Sequence, residues 1–115
     1  MMWSLEYADA QFSSWIRKRD GKCQYPYCNK AEGLDCSHFH LRSHSATRYD
    51  PDNCIALCRY HHGLLEVANP TKNVEYIALM LARLGQEKFD ALQRKANSIY
   101  KRTQAILDCM GIVLQ

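Results

Sequence analysis

The sequence lacks the features that would mark a membrane-spanning or repetitive protein. No run of about 18 apolar residues occurs in its 115 residues, so no segment is expected to cross a bilayer as a helix. It contains no internal repeat and no low-complexity tract. At this length, we expect one compact domain without a second globular domain.

The amino terminus lacks the pattern of a signal peptide. Glu6 and Asp9 stand where a signal peptide would have a basic head followed by an apolar stretch. We therefore expect a cytoplasmic protein that is not secreted and does not bind membranes.

The chain also lacks a strong charge of either sign. Fifteen Lys and Arg residues against twelve Asp and Glu residues leave a net charge of +3. This balance permits nucleic acid as a partner, but is far from that of a protein that binds DNA by bulk electrostatics.

The six cysteines are too few for a disulfide scaffold, and their placement indicates metal binding. No Cys-x2-Cys pair occurs, which argues against a thiol oxidoreductase. Five of the cysteines lie within residues 23–58, and all five histidines lie within residues 38–62. Thiol and imidazole ligands concentrated in one short segment are typical of metal sites.

Hydrophobic spacing predicts one helix and one strand in the first half of the chain. Residues 5–19 have apolar side chains at helical spacing. Residues 22–31 combine Pro, Asn and two Cys, as in a short knuckle. Residues 34–42 are predicted to form a strand, and residues 43–52 a loop with at most a short second strand.

The second half is predicted to be helical. Asp52 or Asn53 can cap a helix that runs through residues 54–66. Apolar spacing predicts a third helix over residues 74–84 and a fourth over residues 89–110.

Two short-spaced ligand pairs predict a zinc site. Cys23 and Cys28 form the first pair, and Cys58 and His61 form the second. Together they supply the four soft ligands that zinc prefers in tetrahedral geometry, and a site with four protein ligands is structural. Such a site would stabilise a small core.

Two alternatives remain open at this point. In one, Cys36 or Cys54 replaces a member of these pairs, although neither has a partner at comparably tight spacing. In the other, the cysteines are ordinary buried thiols and the histidine lies at the surface.

Around the zinc ligands, the residues follow an order that resembles the HNH endonucleases. The carrying segments are DCSHFHLR at 35–42, RYDPDN at 48–53 and LCRYHH at 57–62. Within that family, the stretch is most similar to the NinG-like group of phage recombination proteins.

The resemblance covers about residues 22–70 and implies a zinc-stapled ββα-metal finger there. Together with the helices predicted from apolar spacing, it leads us to expect a single α+β domain: an amino-terminal helix within residues 1–21, the zinc-bound core in residues 22–70 and a helical extension in residues 71–115. The implied activity is metal-dependent cleavage of DNA, in phage recombination or DNA processing. If a phage encodes the chain, it would act in the host cytoplasm.

By the same resemblance, His38 matches the general base and Asn53 the residue that steadies the active-site loop. His62 matches a ligand of the catalytic cation, Mg²⁺ or Mn²⁺. Ser37 occupies the place where many family members have an acidic metal ligand, and Asp35, three residues before His38, is the candidate carboxylate to hold the cation with His62. His61 stands where family members usually have a cysteine, a substitution that zinc accepts.

Two arginines flank the implied site and are candidates for binding DNA. Arg42 and Arg48 could each bind a phosphate through two hydrogen bonds. The alternative from another functional class is a noncatalytic zinc-binding module that recognises nucleic acid or a protein. The order of His38, Asn53 and His62 favours the enzyme, and the missing acid at Ser37 favours the module.

Overall fold

The computed structural model describes residues 3–115 and shows an α+β protein, the expected class, whose two strands form an antiparallel sheet. None of its helices is both long and apolar enough to cross a membrane. The elements in chain order are α1 Leu5–Asp20, β1 Leu34–His38, α2 Ser45–Arg48, β2 Cys54–Cys58, α3 Arg59–Leu65, α4 Val74–Leu84, α5 Gln86–Ala96 and α6 Arg102–Val113, with 3₁₀ turns at Pro51–Asn53 and Pro70–Lys72.

Helix α1 has clear signals at both ends. The Ser4 hydroxyl caps its first turn by accepting a hydrogen bond from the Tyr7 amide at 3.0 Å. Gly21 ends the helix with a φ of 72°, a left-handed conformation that glycine adopts without steric cost. The helix packs Ala8, Phe12 and Ile16 into a core that it shares with α6 and one face of the sheet.

The strands β1 and β2 pair in a continuous register, with Leu34 opposite Cys58 and His38 opposite Cys54. Because side chains alternate along a strand, neighbouring residues of β1 face opposite sides of the sheet. Cys36 therefore faces the core under α1. Ser37 faces the second core, where α4 and α5 pack.

The helix predicted over residues 54–66 is wrong in its first five residues. Residues 54–58 form strand β2, and α3 begins only at Arg59. All five residues of β2 are buried, so the segment has no polar alternation, and a short apolar run of this kind cannot be distinguished from a buried helix by periodicity.

The predicted strand over residues 34–42 is too long, and the loop after it contains a helix. β1 ends at His38 because its partner β2 begins at Cys54, directly opposite. The loop holds the short helix α2 and a 3₁₀ turn, and no second strand is present in residues 43–52.

The third predicted helix is confirmed as α4, but the fourth is divided into α5 and α6. The break covers residues 97–101. There, the Asn97 side chain donates to the Gln93 carbonyl at 3.1 Å, and the Ser98 hydroxyl donates to the Lys95 carbonyl at 2.6 Å. Such side-chain bonds to the backbone compete with continuation of a helix.

Candidate metal centre

The four residues of the predicted zinc site lie together in the structure. The ligand atoms of Cys23, Cys28, Cys58 and His61 are all within 4.8 Å of one another. His61 Nδ1 lies 3.6 Å from Cys23 Sγ and 3.2 Å from Cys58 Sγ. In a tetrahedral zinc site with these ligands, donor atoms are separated by about 3.6–3.8 Å. The cluster can therefore hold a metal ion such as zinc with little movement.

The knuckle of residues 22–31 is held in place by backbone hydrogen bonds. The Cys23 amide donates to the Lys30 carbonyl at 2.8 Å, which closes the knuckle. The Gln24 amide donates to the Ala56 carbonyl at 2.9 Å, which attaches the knuckle to β2. The first ligand pair is thus positioned against β2, the strand that ends at Cys58, the first member of the second ligand pair.

The second ligand pair is also ordered locally. The Tyr25 ring stacks on the His61 ring with centroids 4.0 Å apart and planes 4° apart, which fixes the imidazole. Burial acts to raise the pKa of the Cys58 thiol, but hydrogen bonds, among them one from the His61 amide, lower it overall. A lowered thiol pKa favours the thiolate, the form that binds metal.

Neither Cys36 nor Cys54 belongs to this cluster. Both lie with His38 in a separate group whose ligand atoms are within 4.8 Å of one another. The fold therefore does not place Cys36 or Cys54 as a replacement ligand in the Cys23 cluster.

On the other face of β1, His62 lies between two carboxylates. Its Nδ1 is 3.0 Å from Asp35 Oδ2 and its Nε2 is 2.8 Å from Glu66 Oε2. Glu66, with Asp35, raises the pKa of His62 to about 9. Asp35 thus lies within hydrogen-bonding distance of His62. Glu66 was missed in the sequence, although its i+4 spacing from His62 on a helix was a usable signal.

His38 lies under α1, away from His62. Its Nε2 is 2.9 Å from the Arg48 carbonyl oxygen, and its ring centroid is 6.3 Å from that of Phe12. Burial is the main cause of its lowered pKa. The zinc cluster does not bring His38 and His62 together. His62 contacts Asp35, and in a strand without a bulge the side chains of Asp35 and His38 face opposite sides of the sheet.

Asn53 ties the two ends of the loop that joins the strands. Its side chain is fully buried, and its Oδ1 accepts a hydrogen bond from the His40 amide at 2.8 Å. Its Nδ2 donates to the carbonyls of His40 and Thr47 at 3.0 and 3.1 Å. The loop conformation therefore depends on this amide.

The two candidate DNA-binding arginines differ in their environments. The Arg48 side chain is 13% exposed, and its Nε and Nη2 lie 3.0 and 2.6 Å from the carboxylate oxygens of Asp9. Arg48 therefore holds the loop to α1, and its guanidinium is engaged by Asp9. Arg42 is 60% exposed and lies 3.6 Å from Asp9, so its guanidinium remains accessible.

Comparisons with known proteins identify no relative of this chain. No family model matches the sequence, and no curated protein or solved structure matches it either. What the clusters can bind follows from their donor atoms and their positions in the fold.

Proposed function

We propose that the protein is a zinc-stabilised endonuclease of the HNH type that hydrolyses DNA phosphodiester bonds with the help of a divalent cation. The observation that carries the proposal is Asn53, a buried amide that fixes the loop between His38 and β2 with three hydrogen bonds. The sequence of β1, this loop, β2 and α3 agrees with the ββα-metal finger that the resemblance implies. The Cys and His cluster beside α3 would hold its structural zinc.

Asp35 and Glu66 flank opposite ring nitrogens of His62, so the second cation would be held by His62, after it loses its proton, together with one of these carboxylates. Carboxylate and imidazole groups bind Mn²⁺, and carboxylates bind Mg²⁺. All three side chains are between 24% and 30% exposed, so a cation and a phosphate can reach them. When bound, a divalent cation stabilises charge on the phosphate and on the leaving oxygen.

His38 has the properties of a proton acceptor. The Arg48 carbonyl can only accept a hydrogen bond, so His38 Nε2 carries the proton and Nδ1 carries the lone pair. Because burial lowers the pKa of His38, its imidazole is neutral at physiological pH. A neutral imidazole can take a proton from the attacking water.

One observation favours the noncatalytic zinc module. His38 lies on the α1 face of the sheet, and α1 covers most of it. His62, on α3, lies beside Asp35 on the other face of the sheet. For both to act on one phosphodiester, the DNA backbone must lie across the end of β1. Direct measurement of cleavage separates the two functions.

The experiment is cleavage of duplex, single-stranded and branched DNA with Mg²⁺ or Mn²⁺. The cation-free reaction omits both ions instead of adding chelator, because a chelator would also remove zinc from the cysteine cluster. His38→Ala and His62→Ala should both lose cleavage. Raised Mn²⁺ should partly restore only His62→Ala, since that variant lacks a cation ligand.

His44→Ala is the matched control. Like His38, His44 has a ring nitrogen near a backbone carbonyl, in its case that of Ala96 at 3.0 Å. It belongs neither to the proposed catalytic residues nor to the zinc cluster. It should cleave as wild type does. If folded, zinc-loaded wild type cleaves none of the DNA forms, the noncatalytic module replaces the nuclease.

A further inference from the structure

A second group of soft donors lies on the α1 face of the sheet. The thiols of Cys36 and Cys54 and an imidazole nitrogen of His38 are all within 4.8 Å of one another. In a metal site, these donors would be about 3.6–3.8 Å apart, so a contraction of about 1 Å is sufficient. The strand register accounts for the grouping: Cys36 and His38 are two residues apart on β1, and Cys54 pairs directly with His38.

His38 is oriented as metal-binding histidines commonly are. A ligating imidazole usually donates its other ring N–H to a carboxylate or a backbone carbonyl, which fixes the tautomer and the ring. His38 Nε2 has this interaction with the Arg48 carbonyl at 2.9 Å. Its Nδ1 lone pair is therefore available to a cation.

The group differs from ordinary buried cysteine. Cys109 is also fully buried, but its Sγ contacts the Ala8 carbonyl at 3.6 Å, and it is in neither of the ligand groups found in residues 3–115. Cys54 is equally buried, whereas Cys36 and His38 are only partly buried, so the group is not sealed from solvent. Cys109 is thus a matched control for a purely structural thiol.

We propose that Cys36, His38 and Cys54 form a second site for a soft cation, Zn²⁺ or its analogue Cd²⁺, independent of the Cys23 cluster. Three protein ligands leave the fourth position of a tetrahedral ion open. The ion would join β1 to β2 beneath α1, on the face of the sheet opposite Asp35.

Occupation of this site would regulate the nuclease, a consequence that rests on the proposed function. The Nδ1 lone pair of His38 cannot bind a cation and accept a proton from water at the same time. Zinc at the second site should therefore inhibit cleavage, while zinc at the Cys23 cluster should be required for folding.

Cadmium titration tests the site without DNA. Folded, zinc-loaded protein is titrated with Cd²⁺, which displaces the zinc, in the presence of a weak competing chelator, which suppresses surface binding. Bound equivalents are counted, and the ultraviolet absorption of cadmium thiolates is followed. Wild type should bind two equivalents with five thiolates, three in the first group and two in the second.

Variants assign the second equivalent. The double variant Cys36→Ala with Cys54→Ala should bind one equivalent and lose about two fifths of the absorption, the share of its two thiolates among five. Cys109→Ala should keep both equivalents and the full absorption. His38→Gln should weaken only the second equivalent, by about tenfold or more. Because loss of Cys54 can disturb the core, Cys36→Ala alone serves as the second variant and should also lose the second equivalent.

Wild type that binds a single equivalent, or a folded double variant that keeps two, would overturn the second site and leave the nuclease proposal intact. If wild type cleaves DNA, zinc beyond one equivalent should stop cleavage, and Cys36→Ala should resist that inhibition. Equal inhibition of Cys36→Ala and wild type would overturn the regulatory role alone.

Discussion

The sharpest expectation of the fold concerns Asn53, whose side chain forms hydrogen bonds with three backbone groups in the loop between the strands. Asn53→Ala removes the partner of the His40 amide and of the His40 and Thr47 carbonyls. His40 is 6% exposed and Thr47 is fully buried, so bulk water cannot readily replace the lost partners.

The magnitude follows from these three groups. A buried polar group that loses its partner costs about 1–3 kcal/mol. Carbonyls tolerate the loss better than amides, and the space left by the amide can admit a water molecule. We therefore expect Asn53→Ala to lower the free energy of unfolding by about 3–4 kcal/mol, a large part of the 5–15 kcal/mol typical of small domains.

The assay is urea unfolding of zinc-loaded protein, with the slope compared between variants. Asn69→Ala is the control, since Asn69 is exposed and accepts only local hydrogen bonds from Thr71, at 3.1 and 2.9 Å. It should lose about 1 kcal/mol or less. Asn53→Asp should be at least as unstable as Asn53→Ala, because a carboxylate oxygen would face two carbonyls. A loss below 1 kcal/mol for Asn53→Ala would refute the argument that this side chain fixes the loop.

Four other expectations extend to the metal, the charges and the activity. Cys58→Ser should lose zinc, by elemental analysis, and the cooperative unfolding transition, because metal binding contributes folding free energy. Asp20→Asn should cost about 2 kcal/mol at neutral pH in urea unfolding. Burial opposes ionisation of Asp20, yet hydrogen bonds with Arg19 and the Ala56 amide lower its pKa overall. Wild type should therefore keep this stability at neutral pH and lose it only as the pH falls below about 4, whereas Asp20→Asn should show no such loss. Arg42→Ala should reduce the salt dependence of DNA binding by about one phosphate contact in filter binding, and an unchanged slope would exclude Arg42 from the interface. His38→Ala should reduce cleavage by about 10²–10⁴-fold, and wild-type cleavage should rise with pH through a His38 pKa below its usual 6.5.

Local signals in the sequence predicted the elements whose ends are marked by local chemistry. Helix α1 ends at Gly21 and α4 ends at Gly85, and both have an apolar stripe that can be identified without knowing the partner. The cysteine cluster was predicted for the same reason. Each ligand pair is close in sequence, so only the meeting of the two pairs depends on the fold.

The remaining features depend on contacts between distant residues. Strand β2 is buried along its whole length, so its sequence carries no alternation that would separate it from a helix. The group of Cys36, His38 and Cys54 exists only because residue 38 pairs with residue 54, and this register is not encoded in either segment alone. The same holds for the contact between Asp35 and His62.

Because the register decides which donors meet, the groups that hold β2 in place also determine the chemistry of both faces. A shift of one residue in β1 would exchange Asp35 and Ser37 for Cys36 and His38 on the α3 side. The outer edge of β2 is fixed by α1 and the knuckle: the Ala56 amide donates to Asp20 at 2.8 Å, and Arg19 donates to the Cys54 carbonyl at 2.7 Å. These contacts occupy backbone hydrogen-bonding groups at the free edge of β2. They therefore oppose both a shift of β2 along β1 and pairing of β2 with a strand of another chain. The end of α1 therefore keeps the soft donors on one face of the sheet and the carboxylates on the other.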